Sequence, residues 1–191
     1  MITKMYSIPK LTKAEQQRLD AQLRANQKRL EKEKEQKLPP LILPDPNLPV
    51  CIIADIDSTL SKRGERGVFD FDKSIDDEPI HQTVFLLRLI DDRNKYDPIT
   101  KTHIILLTGR EEQFSEITNK WLNKHQIPFD KLLMRRTGDR RKADIVKQEI
   151  YAGSIRNRFS VFFVLEDHPD NVLMFQKLGL FCFSADTGRY L

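Results

Sequence analysis

The chain has 191 residues, 31% of them charged and only seven glycines, which suits one globular domain with some excess and excludes collagen-like or low-complexity architectures. No apolar stretch approaches the roughly 20 residues of a membrane span, and the start, MITKMYSIPKLTKAEQQ, lacks the apolar core of a signal peptide. The net charge of +4 is uneven: residues 1–49 hold ten Lys/Arg against six Asp/Glu, so the totals of 32 and 28 leave 22 and 22 for residues 50–191. The body is neutral, and its overall basicity says little about nucleic-acid binding by that body.

In chain order, Thr12 opens a capping box with Glu15, and a polar helix is predicted to about residue 37. Its thin stripe of Leu19, Leu23 and Leu30 fits a solvated helix, or an arm for a partner protein or nucleic acid. Residues 38–49, LPPLILPDPNLP, read as a proline-rich extended linker. From residue 50 the pattern alternates. Strands are predicted over 50–55, 103–108, 131–135, 161–167 and 180–184, with helices near 79–93, 111–125, 140–152 and 169–178. Several strands are apolar at consecutive positions, as a sheet covered on both faces requires. The expected fold is an α/β, Rossmann-like three-layer sandwich with a mainly parallel sheet and a minimal cap, preceded by a helical arm (1–37) and the linker (38–49). Cys51 and Cys182 lie in strand-like runs and read as buried free thiols of a reducing, cytoplasmic compartment.

In such sheets ligands bind beyond the carboxyl ends of the strands. Asp55, Thr108 and the pair Glu166–Asp167 all fall there. Asp55 and Asp57 are two apart and, with strand geometry, share a face. Their mutual repulsion calls for a cation, and Mg²⁺ prefers oxygen ligands such as these, with Asp167 joining from another strand. Ser58 and Thr59 offer N–H groups and hydroxyls to a phosphate. Gly109 permits close backbone approach at the start of a following helix, and Arg110 reaches a phosphate or the substrate beyond. Asp139 reads as the N-cap of a helix carrying Lys147, a cation placed to neutralise phosphate and nucleophile. Arg135, Arg136, Arg140 and Arg141 suit either a polyanion or a solvated turn. His168 reads as a helix cap before Pro169; His81, His103 and His125 lack ligand spacing, and Trp121 reads as core. Phe69 and Phe71 suit stacking on a base or packing beneath a loop.

The DIDST of 55–59, the TGR of 108–110, Lys147 on a helix and the acidic pair 166–167 together resemble the haloacid dehalogenase-like superfamily of phosphotransferases. The stretches RGVFDFDKSIDDEPI and MRRTGDRRKADIVKQEIY are similar to the phosphatase domain of phage-type polynucleotide kinase-phosphatases, over residue 50 to the C-terminus. That resemblance implies Asp55 as nucleophile, Asp57 as proton donor and then base, and Mg²⁺ held by Asp55, the Asp57 carbonyl and Asp167, with Glu166 in support. It implies Thr108 and Lys147 at the phosphoryl group, and Arg66, Gly109, Arg110 and Arg140 near the substrate. Three positions depart from the pattern: Ser58 stands for a common Gly, Glu166 for Asp, and Ala143 for an acidic residue. No G-x-x-x-x-G-K-[ST] string occurs, so kinase activity is not expected.

Three readings follow. One is a Mg²⁺-dependent phosphatase acting on nucleic-acid 3′ ends, DNA or RNA, in the cytoplasm (the host's, if the chain is phage-encoded) and recruited to a protein partner through its arm. The others are a nucleotidase for free nucleoside monophosphates and a catalytically idle binding module. No membrane partner is expected.

Overall fold

A computed structural model describes residues 38–185, with helical positions at 17, 20–22 and 24 in the N-terminal segment. The full span of the expected polar helix, and its service as a partner-binding arm, lie outside the described residues. Two compact units divide the chain, Met1–Leu38 and Pro39–Leu191. Within the second unit, residues 39–45 carry no regular secondary structure, 46–48 form a turn, and the segment is pinned along the domain. The Ile42 N–H donates to Gly179 O (2.7 Å) and the Asp45 N–H to Ser160 Oγ (2.7 Å), while the Ser160 N–H donates to Pro49 O (2.9 Å). Gly179 is required there. Its φ is +77°, and a Cβ would lie 3.0 Å from the Ile42 side chain.

The sheet elements are β1 (Val50–Ala54), β4 (His103–Glu111), β5 (Lys131–Arg135), β6 (Ser160–Glu166) and β7 (Cys182–Ser184), with a small antiparallel pair β2 (Ser61–Lys62) and β3 (Glu78–Pro79). Helices are α1 (His81–Tyr96), α2 (Ser115–Lys124), α3 (Ala143–Ser154) and α4 (Pro169–Lys177). The main sheet runs β5-β4-β1-β6-β7, every pairing parallel. The expected α/β fold with a parallel sheet is the one observed.

Period-two alternation on β1 explains the layers. Ile52 and Ala54 face Val84 and Leu87 of α1 and Trp121 and Leu122 of α2, whereas Cys51 and Ile53 face Tyr151 of α3 and Met174 and Phe175 of α4. Both faces are covered, so β1 is apolar throughout. Each fully buried Ile or Leu here contributes about 1.5–3 kcal/mol. The two cysteines are free, and burial pushes both thiols up to about 12.

Two local expectations need correction. Helix α3 begins at Ala143 without a side-chain cap, and Asp139 closes a turn instead, accepting from the Arg141 N–H (3.0 Å). The predicted helix directly after Gly109 is absent. Strand β4 continues to Glu111 and a 3₁₀ turn (Glu112–Phe114) precedes α2, so Gly109 and Arg110 are strand residues. Continuation of the strand was favoured over a helical start by pairing of Glu111 with Arg135 on β5. His168 does cap α4, its Nδ1 accepting from the Asp170 N–H (3.3 Å), with Pro169 in the first turn.

Candidate active site

Strand β1 is central, with β4 on one side and β6 on the other, so the strand order reverses there and opens a crevice at its carboxyl end. Asp55 follows β1, Thr108 lies on β4, Glu166 ends β6 and Asp167 comes next. The topology therefore brings these four together at one edge. Lys147 arrives from α3, buried, between two of them.

Its Nζ donates to Asp55 Oδ1 and to Glu166 Oε2, both at 2.6 Å. Burial alone would depress the Lys147 ammonium, but Asp55 and Glu166 outweigh it and hold the lysine firmly protonated. The second Glu166 oxygen accepts from the His168 N–H (3.2 Å) and Asn171 Nδ2 (3.1 Å). Asp167 Oδ1 accepts from the Thr59 hydroxyl (3.2 Å). Carboxylate oxygens of Asp55, Glu166 and Asp167 lie within 4.8 Å of one another, all three residues buried. Burial first, then the charges of Glu166, Asp167 and Asp57, push the Asp55 carboxyl well above its usual range against the pull of Lys147. Among the described residues three buried carboxylates gather beside one buried ammonium, an excess of acidic groups. An oxygen-only donor set with that excess fits a hard divalent cation.

Asp57 belongs to a different cluster. Its Oδ2 accepts from Arg110 Nε (2.8 Å), and its Oδ1 from Arg110 Nη2 (2.8 Å) and Arg66 Nη2 (3.0 Å). Burial opposes ionisation of Asp57, yet the two guanidiniums prevail and hold its carboxyl below the usual range. The neighbouring aspartates thus avoid sharing a face of charge: Asp55 takes the lysine and Asp57 the arginines. The Asp57 carboxylate stands outside the acidic trio, leaving its backbone carbonyl as the group the resemblance assigns to a metal.

The arginines are themselves braced by Asp77, which the sequence reading overlooked. Asp77 is buried and accepts from Arg66 Nε (2.8 Å) and Nη2 (2.6 Å). Its backbone oxygen accepts from Trp121 Nε1 (2.7 Å), tying the loop to the core. Arg110 is fully buried, and its Nη1 also donates to Ser74 Oγ (3.2 Å) and Thr118 Oγ1 (3.3 Å). Phe71 packs under both guanidiniums, 5.1 and 5.3 Å from its ring centre, and against Phe114. Asn171 was overlooked too, although its place in the first turn of α4, five residues after Glu166, would have found it.

Three of the expected phosphate donors of the DIDST turn, the Ser58 and Thr59 amides and the Thr59 hydroxyl, are spent internally. The Ser58 N–H donates to Ser61 O (2.7 Å), the Thr59 N–H to Ile56 O (3.3 Å), and the Thr59 hydroxyl serves Asp167. This tight turn puts Ser58 at φ +68°, a left-handed conformation that disfavours a Cβ. Ser58→Gly is expected to leave the melting temperature unchanged or raised, whereas Ser58→Val should cost about 1–2 kcal/mol, measured by denaturant unfolding.

The four arginines of 135–141 separate. Arg135 donates to the backbone oxygens of Gly109 (2.9 Å), Asp139 (2.9 Å) and Arg141 (2.6 Å), which fixes the loop to β4. Arg141 pairs with Asp139 (2.7 Å) and Glu149 (2.6 Å). Arg136 and Arg140 are exposed. Gly109 has open space around its Cα, since an added Cβ would meet only the end of Arg135 at 3.8 Å. Thr108 is buried, its hydroxyl accepting from the Arg110 N–H (3.2 Å).

Comparison with known proteins agrees with this geometry. The family profile of the polynucleotide kinase PNKP phosphatase domain matches residues 49–190. Two solved structures, titled as the Pnkp1/Rnl/Hen1 complex and the Pnkp1/Rnl/Hen1 RNA repair complex, superpose with a TM-score of 0.72 and 32% identity over 81% of this chain. They are covered over 51% and 47% of their own lengths. A protein of Autographa californica nuclear polyhedrosis virus, described as a candidate bifunctional polynucleotide kinase/RNA ligase, is 28% identical over 134 residues, 69% of this chain and 18% of its own. The chain thus spans about half the length of these solved relatives and under a fifth of the viral one. With a match over more than half its length, the chain belongs to the haloacid dehalogenase-like phosphatase domains of the polynucleotide kinase-phosphatase family.

Proposed function

We propose that this domain removes 3′-phosphates from nucleic-acid ends, using Mg²⁺, and has no kinase activity of its own. The observation that carries the reading is the pairing of two differently tuned aspartates two positions apart: Asp55 beside Lys147 within the acidic trio, Asp57 in the grip of Arg66 and Arg110. Asp55 attacks phosphorus, the bond to the leaving 3′ oxygen breaks, and an aspartyl-phosphate forms. Asp57 gives the leaving oxygen its proton and later takes one from the hydrolytic water. Thr108 and Lys147 steady the phosphoryl oxygens. Asp55 and Asp167, with the Asp57 carbonyl, would hold the Mg²⁺, which offsets phosphate and carboxylate charge. Glu166 and Asn171 work behind them, since both Glu166 oxygens already have donors. Asp57 is a poor acid while both arginines bind it. An incoming phosphate, itself an anion, competes for those guanidiniums, and each hydrogen bond they release raises the proton affinity of Asp57.

Macromolecular ends are favoured over a small sequestered metabolite because the insertion between β1 and α1 is small: β2, β3 and one 3₁₀ turn (Phe71–Asp76). Exposed Arg136 and Arg140 suit the phosphates of a strand. The relatives named for RNA repair and for a polynucleotide kinase/RNA ligase support ends of RNA beside those of DNA, with protein partners in repair. The boundaries proposed for this chain are an arm (1–37), a linker (38–49) and the phosphatase domain (50–191). The test is phosphate release from 3′-phosphorylated DNA and RNA oligonucleotides with and without Mg²⁺, set beside 3′ and 5′ mononucleotides. Mg²⁺-dependent release from oligonucleotide 3′ ends is expected. Preference for 5′ mononucleotides would make the protein a nucleotidase, and no release from any substrate would leave a binding module.

A further inference from the structure

The two phenylalanines of the loop after Arg66 have opposite environments. Phe71 is committed beneath the guanidiniums and against Phe114. Phe69, two residues earlier, is 81% exposed, and its neighbour Val68 is 56% exposed. Side by side, the ring and the isopropyl group offer a flat apolar surface next to the site. The loop that carries them is shaped, not slack. Arg66 Nη1 donates to the backbone oxygens of Gly67 (3.2 Å) and Val68 (3.3 Å), and Asp70 Oδ2 accepts from the Gly67 N–H (3.3 Å). The Phe71 N–H donates to Phe69 O (2.9 Å). The guanidinium that holds this loop is the one 3.0 Å from Asp57. The backbone immediately before Phe69 is therefore held by the same arginine that binds the carboxylate assigned to the leaving oxygen.

We infer that Phe69, with Val68 beside it, is the shelf on which the base of the 3′-terminal nucleotide stacks, setting a preference for base-bearing ends. The inference rests on the 3′-phosphatase reading above. The leaving oxygen belongs to the terminal sugar, so a base on that sugar lies within a few ångströms of Asp57, on the rim Arg66 organises. Stacking is tolerant of base identity because every base has a π face, so the shelf selects for a base and not for a sequence.

The experiment compares two oligonucleotides that end in a 3′-phosphate, one with an ordinary terminal nucleotide and one with a reduced abasic residue there. Wild type, Phe69→Ala and Phe69→Trp are assayed on both. The quantity read is the ratio of kcat/KM between the substrates, which does not depend on how much of a variant is folded. Wild type should favour the base-bearing end by about tenfold, the size of one base–aromatic stack. Phe69→Ala should bring the ratio near one, and Phe69→Trp should keep it. A wild type without preference, or an Ala variant that retains it, would overturn the shelf while leaving the phosphatase reading intact. No release from either end by wild type would overturn the phosphatase reading, and the shelf with it.

Discussion

Asp55→Asn is expected to lower phosphate release by at least about 10⁴-fold, the scale on which loss of a covalent nucleophile is felt. It should do so without unfolding the protein. Asparagine keeps an oxygen for Lys147 and removes one of three carboxylates crowded into a buried site. The sign follows from the direction of the Asp55 shift. A carboxyl raised above its unfolded value adds stability at low pH, and that contribution disappears as pH climbs through the folded value. Once ionised, Asp55 is thus a liability in metal-free protein, and the variant should melt at or above the wild-type temperature. Added Mg²⁺ should then raise the wild type more than the variant, since only the former keeps all three carboxylates. Retained activity would place the nucleophile elsewhere. A large fall in metal-free melting temperature would mean the Asp55–Lys147 pair is chiefly structural.

Legibility in the sequence followed the range of the physical signal. Apolar runs such as CIIA and HIILLT declare a strand covered on both faces, because each residue answers only to its own layer. The polar residues at strand ends were legible for the same local reason, as Asp55, Thr108 and the 166–167 pair each terminate an apolar run. Lys147 was found through its motif and not through periodicity, since a buried lysine on the apolar face of a helix defies the pattern that places its neighbours.

What escaped was pairing over distance. Asp77 sits in an irregular loop among Asp72 and Asp76, and nothing local separates it from them. Its selection depends on Arg66 and Arg110 arriving from two other segments and on the Trp121 indole holding its backbone. The engagement of the Ser58 and Thr59 amides was hidden for a related reason. They are consumed by hydrogen bonds across the turn to Ile56 and Ser61, a closure that composition does not announce. Arginines 135–141 look alike in sequence, yet Arg135 is bound by backbone oxygens, the exposed Arg141 pairs with two carboxylates, and Arg136 and Arg140 face solvent.

Lys147→Met tests the electrostatic reading of the acidic trio most severely. Removing the cation that pairs with both Asp55 and Glu166 breaks a buried ion-pair cluster, a loss of about 3–5 kcal/mol. Phosphate release should fall by about 10²–10³-fold through loss of a preorganised donor to the phosphoryl oxygens. Two rescues separate charge imbalance from poor packing. Lys147 pulls the Asp55 carboxyl down, so its removal should push that group further up; the stability deficit measured by denaturant unfolding should therefore shrink as pH is lowered, because the carboxyl takes up a proton. Mg²⁺ should also raise the melting temperature of the variant more than that of wild type, since the ion then supplies all of the missing charge. A deficit that ignores both pH and Mg²⁺ would mean that Lys147 is held for its packing, and that the three carboxylates are balanced by some other means.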